Sequence, residues 1–510
     1  MFVKLNSFGL HGMDCFKVEV EVDVTPGAFP SFDIVGLPDT AVKESKNRVR
    51  SAMSNCKLSF PSAKITVNLA PAGIKKAGSL YDLPILLSLL CVVGELSGDL
   101  RKTAFIGELS LSGELKGVPG VLPMVIKAKE MGFERIFVPY ENKKEASVVS
   151  GIDIFAPKTV LELIEHLNEL RLLEKIPAYV PERPDTEKLD FSDVKGQFAA
   201  KRAAEIAAAG GHNLLMIGPP GSGKSMIAKR IPSILPDMTA DEQIETTKIY
   251  SITGLTSDKN PLITERPFRS PHHTISPAGL SGGGAIPRPG EISLSHGGVL
   301  FLDELPEFSK VAMEILRQPL EDGTVTISRA SGSLTYPCSL MLVAAMNPCP
   351  CGYFGHPTRE CTCSMQSVSR YLSKISGPLL DRMDLHVEVA PVQFADLSGR
   401  GESECSADIR ARVEKAREIQ RKRFSGTGIT SNAKITPSKM AEFCPLTNEA
   451  RGILQIAFDK LGLSARAYDK ILKVARTIAD LEGTDVIDVK HITESISYRS
   501  LDRKYFGAKG

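Results

Sequence analysis

The segment GPPGSGKS at 218–225 constrains this chain more than any other. It fits the pattern G-x-x-x-x-G-K-[ST], it follows the apolar run Asn213 to Ile217, and it precedes the helical run Met226 to Arg230. A turn of this kind works only between a buried strand behind it and a helix in front, so an α/β sheet is the expected scaffold. Gly218, Gly221 and Gly223 let backbone N–H groups curl around phosphates, and Pro219, Pro220 and Ser222 complete the loop. Lys224 can neutralise the β and γ oxygens, and Ser225 can hold Mg2+.

A second acidic signal follows the apolar strand Val299, Leu300, Phe301, Leu302. It ends in Asp303 and Glu304, two carboxylates at a strand tip, where Asp303 would hold magnesium through water and Glu304 would orient and activate the attacking water. Further buried strands are expected at Asn213 to Ile217 and Met341 to Ala345, giving a sheet over roughly 193–400.

The remaining chain divides by pattern. Phe16, Val18, Val20, Val22 and Val24 alternate with Lys17, Glu19, Glu21 and Asp23, which predicts a half-buried strand opening an α+β domain over 1–175. Ile65, Val67 and Leu69 predict another strand, Leu83 to Val93 a helix, and Leu161 to Leu173 a further helix. Pro177, Pro181 and Pro184 among charges mark a linker at 176–192. The segment 401–510 reads as an all-helical lid, with helices at Ala407 to Arg423, Thr447 to Leu461 and Ala467 to Leu481.

Three polar residues fall in the order that AAA+ ATPases require. Asn347 ends the strand Met341 to Met346 and resembles sensor 1, Arg382 in GPLLDRMDL resembles an arginine finger, and Arg466 in LSARAYDKILKVARTIADL resembles sensor 2. The bland alternative for each arginine is a surface salt bridge. If Arg382 acts on a neighbour's nucleotide, a closed ring follows, since such a finger supplies about three to five decades of rate.

The companions DVKGQFAAKRAAEIAAAGGHNLLMIGPPGSGKS, RPFRSPHHTISPAGLSGGG, IPRPGEISLSHGGVLFLDELPEF and AAMNPCPCG resemble the ComM/YifB family of magnesium-chelatase-like AAA+ ATPases along essentially the whole chain. The resemblance implies ATP and Mg2+ as ligands and a hexameric ring. It implies a DNA helicase that drives branch migration during integration of transforming DNA by homologous recombination. A magnesium-chelatase-type motor that remodels a protein partner is the alternative. ISRASGSLTYP at 327–337 predicts a hairpin resembling the pre-sensor hairpin of such motors, with Arg329 near its tip as a DNA-binding candidate; a structural hairpin at a subunit interface fits the same residues. Arg266, Arg269, His272, His273 and Arg288 lie in a Pro/Gly-rich insertion, and both DNA and a neighbouring subunit are open as their partners.

GELSLSGELKGV at 107–118 and FVPYENKKE at 137–145 resemble the proteolytic domain of Lon-type proteases, so the N-terminal domain is expected to be Lon-protease-like, with the S5-like fold. Peptidase chemistry needs a serine activated by a lysine. Here the serine position falls on Leu80, with Ser79 one residue off, and the lysine position falls near Leu122, with Lys116 and Lys127 out of register. A non-proteolytic platform is therefore expected.

Cysteines split into two groups. Cys15, Cys56, Cys91, Cys338, Cys405 and Cys444 are scattered, which suits a reducing compartment. Cys349, Cys351, Cys361 and Cys363 form C-x-C-x9-C-x-C with His356 between the pairs, a pattern that fits structural Zn2+ and also fits free or redox-linked thiols. The apolar run Leu83 to Gly94 is too short to span a bilayer, so a cytoplasmic location is expected. With 62 basic against 60 acidic residues, any nucleic-acid contact must come from a local patch.

Overall fold

The computed structural model describes residues 1–506 except 28, 97, 182–188, 285–286, 330–331, 392–402 and 462. The chain forms two compact units, one of residues 1–183 with 240–264, the other of 184–239 with 265–510. Most of the expected proline-marked linker thus lies in the first unit, at the first unit's end, or outside the described residues.

In the first unit the N-terminal alternation becomes the strand Asp14–Thr25, antiparallel to Phe2–His11 with Val3 opposite Val22. Val18, Val20, Val22 and Val24 are buried, while Lys17 and Lys4 pair with Glu19 on the other face. A period of two sorts these side chains to opposite faces of the sheet. The seven strands run in the order Ser31–Val35, Lys64–Ala70, Asp14–Thr25, Phe2–His11, Thr103–Phe105, Arg135–Phe137, Asp153–Phe155. The helix Asp82–Val93 is apolar around its circumference because it is buried; Leu83, Ile85, Leu86, Leu87, Leu89 and Leu90 have no exposed surface. The helix expected to run to Leu173 ends at Leu167. Glu169 takes a left-handed conformation (φ 59°), and Asn168 turns its side-chain amide to the Glu95 carbonyl at 3.0 Å.

The helix Ala240–Thr253 lies between the glycine-rich loop and the acidic strand in sequence, yet it belongs to the first unit. Its Ser251 carbonyl accepts from the Gly120 amide at 2.9 Å, and its Ser251 hydroxyl donates to the buried Glu145 carboxylate. Burial pushes Glu145 above the usual carboxylate range, against the Ser251 and Asn142 side chains and the Leu122 amide that hold it.

The second unit is built on five parallel strands in the order Phe268–Arg269, Val299–Leu302, Met341–Met346, Leu214–Ile217, Leu385–Glu388. Parallel strands are covered on both faces, which is why the three central runs, Val299–Leu302, Met341–Met346 and Leu214–Ile217, are uninterruptedly apolar. The alanine-rich helix Phe198–Gly210 buries Ala203, Ala204 and Ala207 against this sheet and also contacts the helices Ser406–Arg423 and Ala465–Glu482. From 403 to 506 the described residues form helices and turns with no strand, and Phe424, Phe443, Leu454, Ile471 and Ile492 make a core of their own. Asp480, fully buried, ties this region together. It accepts from both terminal nitrogens of Arg423 (2.8 and 2.5 Å), from Arg476 Nε (3.1 Å) and from Asn432 Nδ2 (2.7 Å).

Among the described residues no helix is long and apolar enough to cross a membrane.

Candidate nucleotide site

The strand register brings the candidate residues to one edge. Ile217 pairs with Met346, and Leu302 pairs with Ala344, so the residues that follow these strands emerge side by side at their C-terminal ends. Ligand crevices of open parallel sheets lie at that edge, where loops leave the strands without covering helices.

The loop 218–223 has the backbone the glycines predict. Gly221 (φ 76°) and Gly223 (φ 91°) are left-handed, and a Cβ on Gly218 would stand 2.3 Å from the Val389 carbonyl. The helix Lys224–Ile234 follows at once, so its free N-terminal amides face the loop. Lys224 Nζ donates to the Gly218 and Pro219 carbonyls (2.8 and 2.9 Å) and to Asn347 Oδ1 (3.3 Å). Burial pulls Lys224 down from the usual lysine range to about 8, partly offset by the Asp303 and Glu304 carboxylates. A buried cation whose donors are turned onto loop carbonyls is the arrangement an incoming polyanion would relieve.

Ser225 Oγ donates to Asp303 Oδ2 at 2.6 Å. Two hard oxygen ligands in contact fit a divalent cation of the Mg2+ kind, which binds carboxylates, hydroxyls and phosphate oxygens. Asp303 Oδ1 accepts the Glu304 amide at 3.0 Å, and Glu304 itself is left-handed at φ 52°. A non-glycine residue held there costs about 1–2 kcal/mol, and such strain concentrates at functional positions. Glu304 Oε2 lies 3.5 Å from His273 Nδ1, and the His273 ring lies against His272 with centroids 4.1 Å apart and planes tilted by 34°. Glu304 is thus turned toward the insertion.

Lys224, Ser225, Asp303 and Asn347 meet directly. The two arginines do not join them. Arg382 is nearly buried, forms an ion pair with Glu321, and donates to the Arg317 carbonyl at 3.1 Å. Arg466, at the start of the helix Ala465–Glu482, is two-thirds exposed, with Asp381 3.8 Å away.

Two neighbours were not singled out by sequence. Gln197 is left-handed (φ 56°) and donates to the Ser222 carbonyl at 3.2 Å and the Ala390 carbonyl at 2.5 Å, tying the loop to the last strand's exit. Tyr371 is the other; its hydroxyl faces the Asn347 backbone amide, which favours the phenolate, while burial is the larger effect and pushes its pKa upward. A left-handed glutamine has no sequence signal beyond the Gly196 before it.

The predicted hairpin is present as Thr324–Arg329 paired with Gly332–Pro337; Ala330 and Ser331 lie outside the described residues. Val325, Ile327 and Tyr336 anchor its inner face, and Arg329 is exposed. A second hairpin lies beside it, with Gly282–Gly283 paired to Arg288–Pro289. Arg329 Nη2 comes within 3.1 Å of where a Cβ on Gly283 would be, and Gly283 is opposite the exposed Arg288. Arg266 and Arg269 are engaged within the unit instead, Arg266 with the Gly297 carbonyl at 2.6 Å and Arg269 with both Glu291 oxygens at 2.6 and 2.7 Å.

In the first unit the positions aligned with a peptidase are apolar and buried, Leu80 and Leu122. Ser79 donates to Glu108, Lys116 pairs with Glu114 at 2.8 Å and Lys127 with Glu130 at 3.0 Å, so the serine and both lysines have other partners.

Comparison with known proteins agrees with this geometry. The model for magnesium chelatase, subunit ChlI, matches residues 190–397, and further models for the same subunit and for its C-terminal part match 20–142 and 403–499. Competence protein ComM of Haemophilus influenzae is 43% identical over 501 residues, covering 96% of each chain. YifB of Escherichia coli is 42% identical over 496 residues, again covering 96% of each. Lon protease 2 of Bacillus subtilis is 30% identical over 98 residues, 19% of this chain and 18% of that one, a partial likeness. Near full-length identity of this order, together with the loop and strand-tip cluster, places the chain in the ComM/YifB family of magnesium-chelatase-like AAA+ proteins.

Proposed function

We propose that the chain is an ATP-driven motor that works as a hexameric ring on branched DNA in the cytoplasm and promotes branch migration, in the setting its relative's name, competence protein, indicates. Family membership implies ATP and Mg2+. The observation that carries the ATPase reading is the direct meeting of Lys224, Ser225, Asp303 and Asn347 at adjacent strand ends. Mg2+, when bound with ATP, supplies charge that shields the triphosphate oxygens. In this reading Gly218 to Ser225 hold the phosphates. Ser225 and Asp303 hold the cation, and Asn347 and Glu304 position the lytic water. Arg466 reaches from the helical lid of 401–510. Arg382 acts on the neighbouring subunit's nucleotide, exchanging its internal partner Glu321 for that role. The 1–175 domain serves as a non-proteolytic platform ahead of the 193–400 core.

The side-by-side hairpins bearing Arg288 and Arg329 support DNA as the track. Repeated around a ring, two exposed guanidinium groups per subunit make a sequence-tolerant, salt-sensitive contact with phosphates. The test is ATP-dependent branch migration of a synthetic four-way junction, with turnover followed in parallel and Lys224→Ala as control. Junction processing should require ATP, vanish in that variant and weaken in Arg329→Ala.

A second reading is a chelatase-type motor acting on a protein partner, favoured by the three matches to magnesium chelatase subunit models. Healthy turnover that DNA neither stimulates nor directs would select it.

A further inference from the structure

The four clustered cysteines follow Asn347 directly and are brought together by the fold. Cys349 is buried, and Cys351, Cys361 and Cys363 are half-buried. All four sulfurs lie within 4.8 Å of one another. Cys349 Sγ is 3.4 Å from Cys351 Sγ and 3.7 Å from Cys361 Sγ, and the last two are 3.6 Å apart. A disulfide needs sulfurs about 2.05 Å apart. Ligands about 2.3 Å from a tetrahedral zinc stand about 3.8 Å from one another, and the observed spacing sits close to that value. The donor set is soft, all sulfur with no carboxylate, which selects Zn2+ over Mg2+ or Ca2+. The Phe354 amide donates to Cys349 Sγ at 3.3 Å, the outer-shell contact that offsets thiolate charge. His356 is turned away into its own turn, where its Nδ1 accepts the Thr358 and Arg359 amides (3.2 and 3.1 Å).

The loop so closed backs the nucleotide site. Gly352, between two of the cysteines, is left-handed (φ 84°), and a Cβ there would stand 2.4 Å from Pro220 Cδ. Loop backbone therefore presses directly on the glycine-rich turn. At the loop's start Asn347 touches Lys224.

We propose that Cys349, Cys351, Cys361 and Cys363 bind one structural Zn2+ per chain, and that this metal staples the 347–363 loop against Pro220, so that the shape of the phosphate-binding turn depends on metal occupancy. The metal site stands on the sulfur geometry alone; its coupling to nucleotide rests on the nucleotide-site reading and is independent of whether the motor acts on DNA.

The test uses tag-free full-length protein purified without chelator. Elemental analysis should find about one zinc per chain. Replacement by Co2+ should give the intense visible bands of tetrahedral cobalt and near-ultraviolet thiolate charge transfer. Stripping the zinc with chelator should weaken binding of a fluorescent ATP analogue on the order of tenfold, and added Zn2+ should restore it. Cys351→Ser/Cys361→Ser should lose both metal and spectrum; if that variant fails to fold, the wild-type cobalt spectrum still decides. Absence of stoichiometric zinc together with a cobalt spectrum lacking thiolate bands overturns the site. Bound zinc whose removal leaves nucleotide affinity unchanged overturns the coupling. Loss of junction processing with zinc and nucleotide binding intact would count against the DNA reading alone.

Discussion

The state of Lys224 makes a proton-linkage prediction that separates a phosphate-binding lysine from a structural one. Burial lowers its pKa to about 8 in the free protein. The sign follows from the charge: burial disfavours the ammonium, so the free site gives up its proton as pH rises through that value. Bound phosphates return the lysine to full charge, so binding takes up the missing fraction. The uptake should be about 0.1 proton at pH 7, about 0.5 at pH 8 and about 0.9 at pH 9. Because the pH slope of log affinity equals that uptake, affinity should weaken about tenfold between pH 7 and pH 9. Calorimetric titration with a non-hydrolysable ATP analogue, in buffers of differing ionisation enthalpy, measures uptake directly. Above pH 8 the triphosphate is itself fully ionised and contributes little. Lys224→Arg, charged at every pH used, should bind without the rising uptake. Uptake that is flat with pH in the wild type, or unchanged in Lys224→Arg, would refute the reasoning.

Three further outcomes follow from the geometry. Glu304→Gln keeps the strained backbone and the side-chain shape but removes the carboxylate proposed to activate water, so turnover should fall by roughly 10²–10⁴ with analogue affinity preserved; steady-state hydrolysis beside binding checks it, and an equal loss of both would point to a structural role. Gly352→Ala puts a methyl into Pro220 and a side chain into a left-handed position, with an expected cost of about 1–3 kcal/mol, visible as lower thermal stability and weaker nucleotide binding. Asp480→Ala leaves Arg423 and Arg476 buried without their shared carboxylate, and should destabilise the second unit by about 3–5 kcal/mol in denaturant titration; a change below about 1 kcal/mol would contradict the network's role.

What sequence could reveal about this chain depended on whether the information was local. The alternation of Val18 to Val24 is set by the pleat of one strand, and it predicted the strand and its buried face. The glycine-rich turn and the Asp303 tip are each dictated by neighbours within a few residues, so both were legible, and the sheet order then explains why they meet: the Met341–Met346 strand lies between the two strands that carry them. Asn347 emerges from that central strand and touches Lys224, although 123 positions separate the two in sequence. Long-range choices left no such trace. Nothing in Ala240–Thr253 announces that it packs with the first unit, because the deciding contact pairs Ser251 with Glu145. The end of the helix at Leu167 was missed for a related reason, since apolar spacing continues through Leu170 and Leu172 while both side chains are exposed. The same distinction governs the arginines. Arg266, Arg269, Arg288 and Arg329 look alike as basic residues in loops, but the fold ties the first two to distant carbonyls or a carboxylate of their own unit and leaves the last two exposed on adjoining hairpins, Arg329 with one bond to the neighbouring Ser328 carbonyl at 2.9 Å. A guanidinium already held inside the unit has little left to offer a phosphate backbone, whereas an exposed one keeps most of its donors for one. Substituting Arg288 and Arg329 should therefore reduce the salt dependence of DNA binding, with Arg269 variants acting through stability instead; a salt slope unchanged in the double variant would remove the hairpins from the DNA contact.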